Sequence, residues 1–338
     1  MALVIVLGRA GHGWETGLIG QANAHAPATF VTECRTVVDL LVRTETESPA
    51  LVVVAEDFPR LTEAVSRLRA LSQVVIVGDG PSADCPPERA HLDVLLQITA
   101  QRSDALGTIT TVWGPPGSWG TTSVAVGLAR SISRKQQTLL VDANVHAPSV
   151  GELLNVPLGG LLQACLAADR GAPEVPARAL SNRLHVLSGV DPAVYPAVHP
   201  GAMQQVLDAA RSGFQHVVLD VDSAIDPAGE IGLVPDWTTA TAVGLRAADH
   251  VVIVVGDSEP AQARLWRSLP AVAEVTRGRT TVVVNRCADP RRTTAHLAGR
   301  LGDYLPDAAV GWIGGQITEK ALRPIVEEVV DGLPTRAG

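Results

Sequence analysis

The sequence predicts an α/β protein of two units, each built on a parallel sheet. Three features lead to this. Short runs of Val, Ile and Leu with almost no charge recur along the chain, the pattern of strands covered on both faces. Stretches of helical period separate them, and such alternation builds parallel layers. At 101–107 a polar joint, QRSDALG, interrupts the alternation before a fresh strand begins. The 338 residues suit two units, placed at 1–103 and 107–338, given roughly 100–200 residues per domain.

In the first unit, strands are expected at 2–8 (ALVIVLG), 29–33 (TFVTE), 50–56 (ALVVVAE) and 74–78 (VVIVG). The clearest helix between them is 60–71, with Leu61, Val65, Leu68 and Leu71 on one stripe. The second unit opens with a strand at 108–113, followed by others at 138–142, 184–188, 216–220, 250–255, 280–285 and 309–313. Helical segments between them predict a doubly wound parallel sheet, with ligands at the carboxyl ends of the strands. No fixed-period repeat or low-complexity tract interrupts the pattern.

Composition excludes several classes. Apolar residues make up 46% and charged residues 18%, far from a disordered chain. No apolar run approaches the ~18 residues that cross a bilayer, and the opening residues lack a signal peptide's basic start and cleavage site. A soluble cytoplasmic protein without membrane insertion is expected. Cys34, Cys85, Cys165 and Cys287 are widely spaced, so neither a disulfide framework nor a zinc site is suggested. A net charge of −8 argues against a globally basic nucleic-acid binder. Of the 27 basic residues, only Lys135 and Lys320 are lysine. Chemistry that needs a lysine must use one of these or borrow one from another chain.

The loop GPPGSWGTTS at 114–123 follows the first strand of the second unit and opens a helix expected over 122–135. Strand, glycine-rich loop, helix is the setting in which backbone N–H groups and a helix N-terminus face a phosphate. The last glycine is Gly120 and the metal-binding hydroxyl position is Thr122, but Thr121 stands where such loops carry lysine. Glycine-rich turns also occur without ligands, so the surroundings matter. Later strands end LLVDAN and VVLDVD, and aspartates at such ends hold Mg²⁺ in phosphoryl-transfer folds.

With AADHVVIVVGDSEPAQAR and VVVNRC following in order, the chain from about 107 to 335 resembles the MinD/ParA family of deviant-Walker ATPases. The resemblance aligns the family's phosphate loop with Pro116, Gly117, Ser118, Trp119, Gly120, Thr121, Thr122 and Ser123. Pro116 replaces the signature lysine that reaches across a dimer, and Thr121 replaces the loop lysine. Asn144 replaces the carboxylate that orients the hydrolytic water. Asp142 and Asp220 match the two strand-end aspartates, which with Thr122 would hold Mg²⁺. Asn285 and Arg286 match the segment that recognises adenine. Each lost charge-assisted hydrogen bond removes on the order of 1.5–3 kcal/mol, and each lost transition-state donor on the order of 10²–10³ in rate. The resemblance therefore implies weak ATP and Mg²⁺ binding or none, little hydrolysis, and a homodimer whose association does not depend on nucleotide.

The first unit resembles a response-regulator receiver. Aligning Phe58-Pro59 with the receiver's hydrophobe-proline places Ala55 at the phosphoacceptor, with Glu56 and Asp57 one and two residues late; Leu7-Gly8 occupies the acidic pair's place. A receiver-shaped interaction domain that takes no phosphate is expected. A receiver-like unit ahead of an atypical ATPase resembles the TadZ/CpaE family, which implies a scaffold that localises Flp-type (Tad) pilus or secretion machinery. The alternative is a septum-site or partition regulator of the MinD/ParA type that binds DNA or hydrolyses ATP slowly. Eight arginines from Arg264 to Arg300 face only Glu274 and Asp289 in charge, and such a surface contacts DNA phosphates or is a solvated face. The terminal helix, expected over 324–331, carries Glu327, Glu328 and Asp331, the wrong charge for anchoring on an anionic membrane.

Overall fold

The computed structural model describes residues 3–25, 29–47, 49–117, 120–225 and 238–331. The chain divides into two compact units, Met1–Ala105 and Leu106–Gly338. The polar joint is mostly helix: residues 101–105 complete α4 (Leu92–Ala105), because Gln, Arg, Asp and Ala continue a helix and the stop comes only at Gly107.

The first unit holds β1 (Leu3–Gly8), β2 (Thr29–Cys34), β3 (Leu51–Ala55) and β4 (Val74–Val77) in the parallel order β2-β1-β3-β4. This is the first part of the 2-1-3-4-5 order of flavodoxin-like sheets. Helices α1 (Gly13–His25) and α4 cover one face, burying Leu18, Leu92 and Leu95 with Ile5 and Leu7. Helices α2 (Val37–Glu47) and α3 (Leu61–Leu71) cover the other, where Leu40, Leu61 and Leu68 meet Val52 and Val54. Every residue of β3 is buried, as its uninterrupted apolar run requires.

The second unit runs β5 (Thr108–Trp113), α5 (Thr121–Ile132), β6 (Thr138–Ala143), α6 (Val150–Leu154), α7 (Gly160–Asp169), β7 (Arg178–Ala179), β8 (Leu184–Leu187), α8 (Pro200–Gly213), β9 (His216–Val221), α9 (Thr239–Ala247), β10 (His250–Gly256), α10 (Glu259–Val275), β11 (Arg279–Asn285), α11 (Pro290–Leu301), β12 (Ala309–Ile313) and α12 (Glu319–Asp331). The sheet order is β12-β11-β10-β5-β9-β6-β8-β7. All pairings are parallel except β7 with β8. The chain moves from β5 to one side and later returns to place β10 on the other, so the order reverses at β5. The crevice at that reversal is where open α/β sheets bind ligands, and the glycine-rich loop leaves β5 there.

Two apolar layers hold the sheet. Helices α5 and α12 bury Val124, Leu128, Leu322 and Ile325 on one face. On the opposite face Leu161, Leu207, Leu265 and Leu297 pack from α7, α8, α10 and α11. At the base of β5, a Cβ on Gly107 would lie 1.8 Å from the Phe214 carbonyl oxygen, so only glycine lets the strand enter there. Arg211 closes that corner, donating to the Gly107 carbonyl at 2.9 Å and to both oxygens of Asp249. None of the helices among the described residues is long and apolar enough to cross a membrane.

The eleven strands expected from the sequence are all present, with ends shifted by a residue at most. The two-residue antiparallel β7 has no counterpart among them. The terminal helix begins at Glu319 rather than Pro324. Thr318 starts it, its hydroxyl accepting the Ala321 N–H at 3.3 Å, and Pro324 sits inside the helix.

Candidate functional site

The phosphate loop is positioned by its two ends. Gly114 lies so close to β10 that a Cβ there would sit 2.6 Å from the Val254 carbonyl oxygen and 2.6 Å from the Thr121 hydroxyl. The short side chain that replaces the loop lysine is therefore turned back onto the loop's own start. At the other end Gly120 has φ 90°, and its carbonyl accepts the Val124 N–H at 2.9 Å to begin α5. Gly117 has φ 130°, so both glycines occupy backbone conformations that L side chains rarely adopt. Ser118 and Trp119 lie outside the described residues. Ser123 is exposed on the first turn of α5.

Beneath the loop, Asp142 and Asp220 stand side by side in register at the ends of β6 and β9. Asp142 is fully buried and Asp220 is 1% exposed. Asp142 Oδ2 accepts the Val150 N–H at 3.0 Å, but its Oδ1 and both oxygens of Asp220 make no hydrogen bond. Burial pushes the Asp142 carboxyl up to about 7, against the pull of backbone N–H groups at Val150 and Asn144. Asp220 is pushed up to about 8, first by burial and then by the neighbouring Asp142. Only the Thr122 hydroxyl beside it pulls the other way. Three orphaned carboxylate oxygens and a hydroxyl are hard donors suited to Mg²⁺, which takes one or two carboxylates and completes its shell with water and phosphate. A cage of three or more His, Cys, Asp or Glu side chains does not occur among the described residues.

The groups around this pair are committed elsewhere. Asn144 Oδ1 accepts the Ala147 N–H at 3.0 Å, so the amide in the water-orienting place closes its own loop. Pro116 is exposed. Asn285 is 3% exposed, packs its amide nitrogen against Gly120, and accepts the Arg286 N–H on Oδ1 at 2.9 Å. Arg286 is exposed in the left-handed region with φ 58°. The structure thus gathers Gly117, Gly120, Thr121, Thr122, Asp142, Asp220 and Asn285 at one end of the sheet.

Three features escaped the sequence reading. Asp222, two residues beyond Asp220, holds His146 through Nδ1 at 2.6 Å and caps the Ala224 N–H at 2.9 Å. Asp257 braces the loop after β11 by accepting from the Ala288 N–H at 2.8 Å and the Thr293 hydroxyl at 2.7 Å. Arg264 Nη1 donates to the Pro116 carbonyl at 3.2 Å. A carboxylate just past a parallel strand, as at Asp222 and Asp257, is a signal that sequence alone offered.

The eight arginines are all exposed but do not share one end of the sheet. Arg277 and Arg279 lie where β11 begins, whereas Arg286, Arg291 and Arg292 lie beyond its other end, some 23 Å away at ~3.3 Å per residue. Arg279 is paired with Glu328 at 2.9 Å, and Arg300 lies 4.4 Å over the Trp266 ring.

In the first unit several carboxylates near the strand ends already have partners. Arg9 bonds the fully buried Glu15 at 3.3 Å and Glu33 at 2.6 Å. Glu56 accepts the Gly80 and Ser82 N–H groups. Asp57 lies 2.8 Å from His12 Nε2 and raises the imidazole pKa through that hydrogen bond. Ala55 is buried. Arg9 supplies a positive charge between Glu15 and Glu33. Acetyl phosphate should therefore leave the protein unlabelled, and intact mass before and after treatment checks this; labelling lost in Asp57→Asn would contradict it.

No family model matches the chain, and no curated protein sequence matches it. Solved structures do. A plasmid partition protein from Borrelia burgdorferi matches at 13% identity over 68% of this chain and all of that one, with a TM-score of 0.52. The septum site-determining protein MinD from Pyrococcus horikoshii, solved with Mg-ADP, matches at 12% identity over 69% of this chain and 99% of that one, also at 0.52. The ATP complex of a Cyanothece McdA variant matches at 15% identity over 67% of this chain and 97% of that one, again at 0.52. At these identities the likeness is one of fold: a P-loop sheet of the MinD/ParA kind, over a share of this chain equal in size to its second unit.

Proposed function

We propose that the second unit binds Mg-ATP without appreciable hydrolysis, and that the chain is a scaffold placing Flp-type pilus or secretion machinery, as its resemblance to the TadZ/CpaE family implies. One observation carries the reading. Asp142, Asp220 and Thr122 keep a cation site under the phosphate loop, with three carboxylate oxygens lacking any partner, while the groups that would drive hydrolysis are replaced by Pro116, Thr121 and Asn144. The first set can hold Mg²⁺ for a bound ligand, whereas loss of the second removes charge and water positioning that turnover needs. The MinD and McdA structures that share this fold are complexes with Mg-ADP and ATP, which supports that ligand class. Without a cross-dimer lysine, association rests on apolar surface. Leu153 and Leu158, 57% and 47% exposed just beyond the Asp142 loop, supply it for a homodimer. The paired carboxylates of the first unit fit an interaction domain rather than a phosphorylation switch.

Deleting the coding sequence in its own cell should abolish assembly or polar placement of the pili, counted by electron microscopy. A copy carrying Asn144→Ala, altered only at the lost hydrolytic position, should restore them fully. Normal piliation in the deletion strain overturns the reading, and plasmid or chromosome loss with pili intact would favour a partition regulator instead.

A further inference from the structure

The site needs a cation for a triphosphate, and among the described residues neither lysine is hydrogen-bonded to the loop. Lys135 lies just past the carboxyl end of α5, on the order of 18 Å from the loop at 1.5 Å per residue. Lys320 lines the groove between β12 and α12. Arg264 is placed differently. It sits in the second turn of α10, which leaves the end of β10, and β10 is hydrogen-bonded in register to the strand that carries the loop. Its guanidinium reaches the Pro116 carbonyl, at the loop position where the resemblance puts the missing cross-dimer lysine.

We infer that Arg264 supplies, within the same chain, the positive charge that the phosphate loop has lost, and binds the terminal phosphate of a nucleoside triphosphate. The inference rests on the nucleotide reading above and deepens it. One N–H of the guanidinium anchors the group to the loop wall, and a planar fork of five donors suits phosphate oxygens. A proline at 116 frees the space of a long side chain there while keeping the carbonyl that holds the arginine. The contact acts on the bound ground state and needs no second subunit, so binding does not force dimerisation.

The test is the affinity of the full chain for Mg-AMPPNP and Mg-ADP by titration calorimetry, with Arg264→Gln, Arg264→Lys and Arg267→Gln. Arg267 is exposed one turn along the same helix and controls for the general charge of that surface. Loss of one charge-assisted contact should weaken Mg-AMPPNP roughly 10- to 100-fold in Arg264→Gln. Mg-ADP should weaken much less, Arg264→Lys should keep most of the affinity, and Arg267→Gln should match wild type. Equal affinity of wild type and Arg264→Gln overturns the inference and leaves nucleotide binding standing. An equal loss in Arg267→Gln also overturns it, because the effect then belongs to the surface. Absence of binding by the wild type removes both the inference and the nucleotide reading. Unchanged melting of Arg264→Gln shows that any loss is local.

Discussion

Replacing Asp220 with asparagine should stabilise the ligand-free protein at pH 8 and flatten its stability against pH. Burial, with the neighbouring Asp142, pushes the folded carboxyl up to about 8 from its ordinary 3.8, so the unfolded chain releases the proton first as pH rises. Below about pH 4 both states hold the proton and nothing is lost. Between there and pH 8 stability falls steadily, and the full cost of about four pKa units, roughly 5 kcal/mol, is reached above pH 8. Asparagine carries no charge but buries an amide without partners, which gives back about 1–3 kcal/mol. The net gain of about 2–4 kcal/mol should raise the melting temperature by roughly 5–12 °C at pH 8 and by much less at pH 5. Mg-AMPPNP should raise the melting temperature of the wild type and not of Asp220→Asn, because a cation needs the ionised carboxylate. Melting curves from pH 5 to 9, with and without ligand, read both effects. Parallel curves for the two proteins would show that Asp220 is not strained by burial.

Gly120→Val should abolish nucleotide binding, lowering affinity by at least 100-fold. Its φ of 90° costs an L residue about 1–2 kcal/mol, and a Cβ there would lie 2.6 Å from Asn285 Nδ2. The substitution therefore distorts the anion cradle and displaces the buried Asn285 amide that packs against the loop. Gly120→Ala brings the same strain with less bulk and should lose affinity by a smaller factor. Calorimetry with Mg-AMPPNP measures both, and cooperative melting confirms that the sheet persists. Unchanged affinity in Gly120→Val would remove this loop from the ligand's path.

Most strands were legible because they are short runs of apolar, largely β-branched residues, and β3 and β10, buried along their whole length, show it most clearly. The brief β7 was not: Arg178 and Ala179 are both exposed and carry no apolar signal. The start of α12 was hidden because a proline reads as a first helical residue, while the starting group, Thr318, lies six residues earlier. Gly120, Thr122, Asp142 and Asp220 could be placed from motif order along the chain, since each lies at the end of a strand or the start of a helix. Arg264 could be named only as one of eight arginines, because its contact with Pro116 depends on α10 passing beside a loop 148 residues away in sequence. The same holds for His146 and Asp222, which meet only because β6 and β9 are neighbours in the sheet.

Phosphate release from Mg-ATP by the purified chain, under concentrations at which calorimetry shows the site filled, tests most directly whether binding has been separated from turnover. The expected result is a filled site with release at the level of the Asn144→Ala variant and no change on dimer formation. Turnover matching that of MinD/ParA ATPases with both lysines would contradict it.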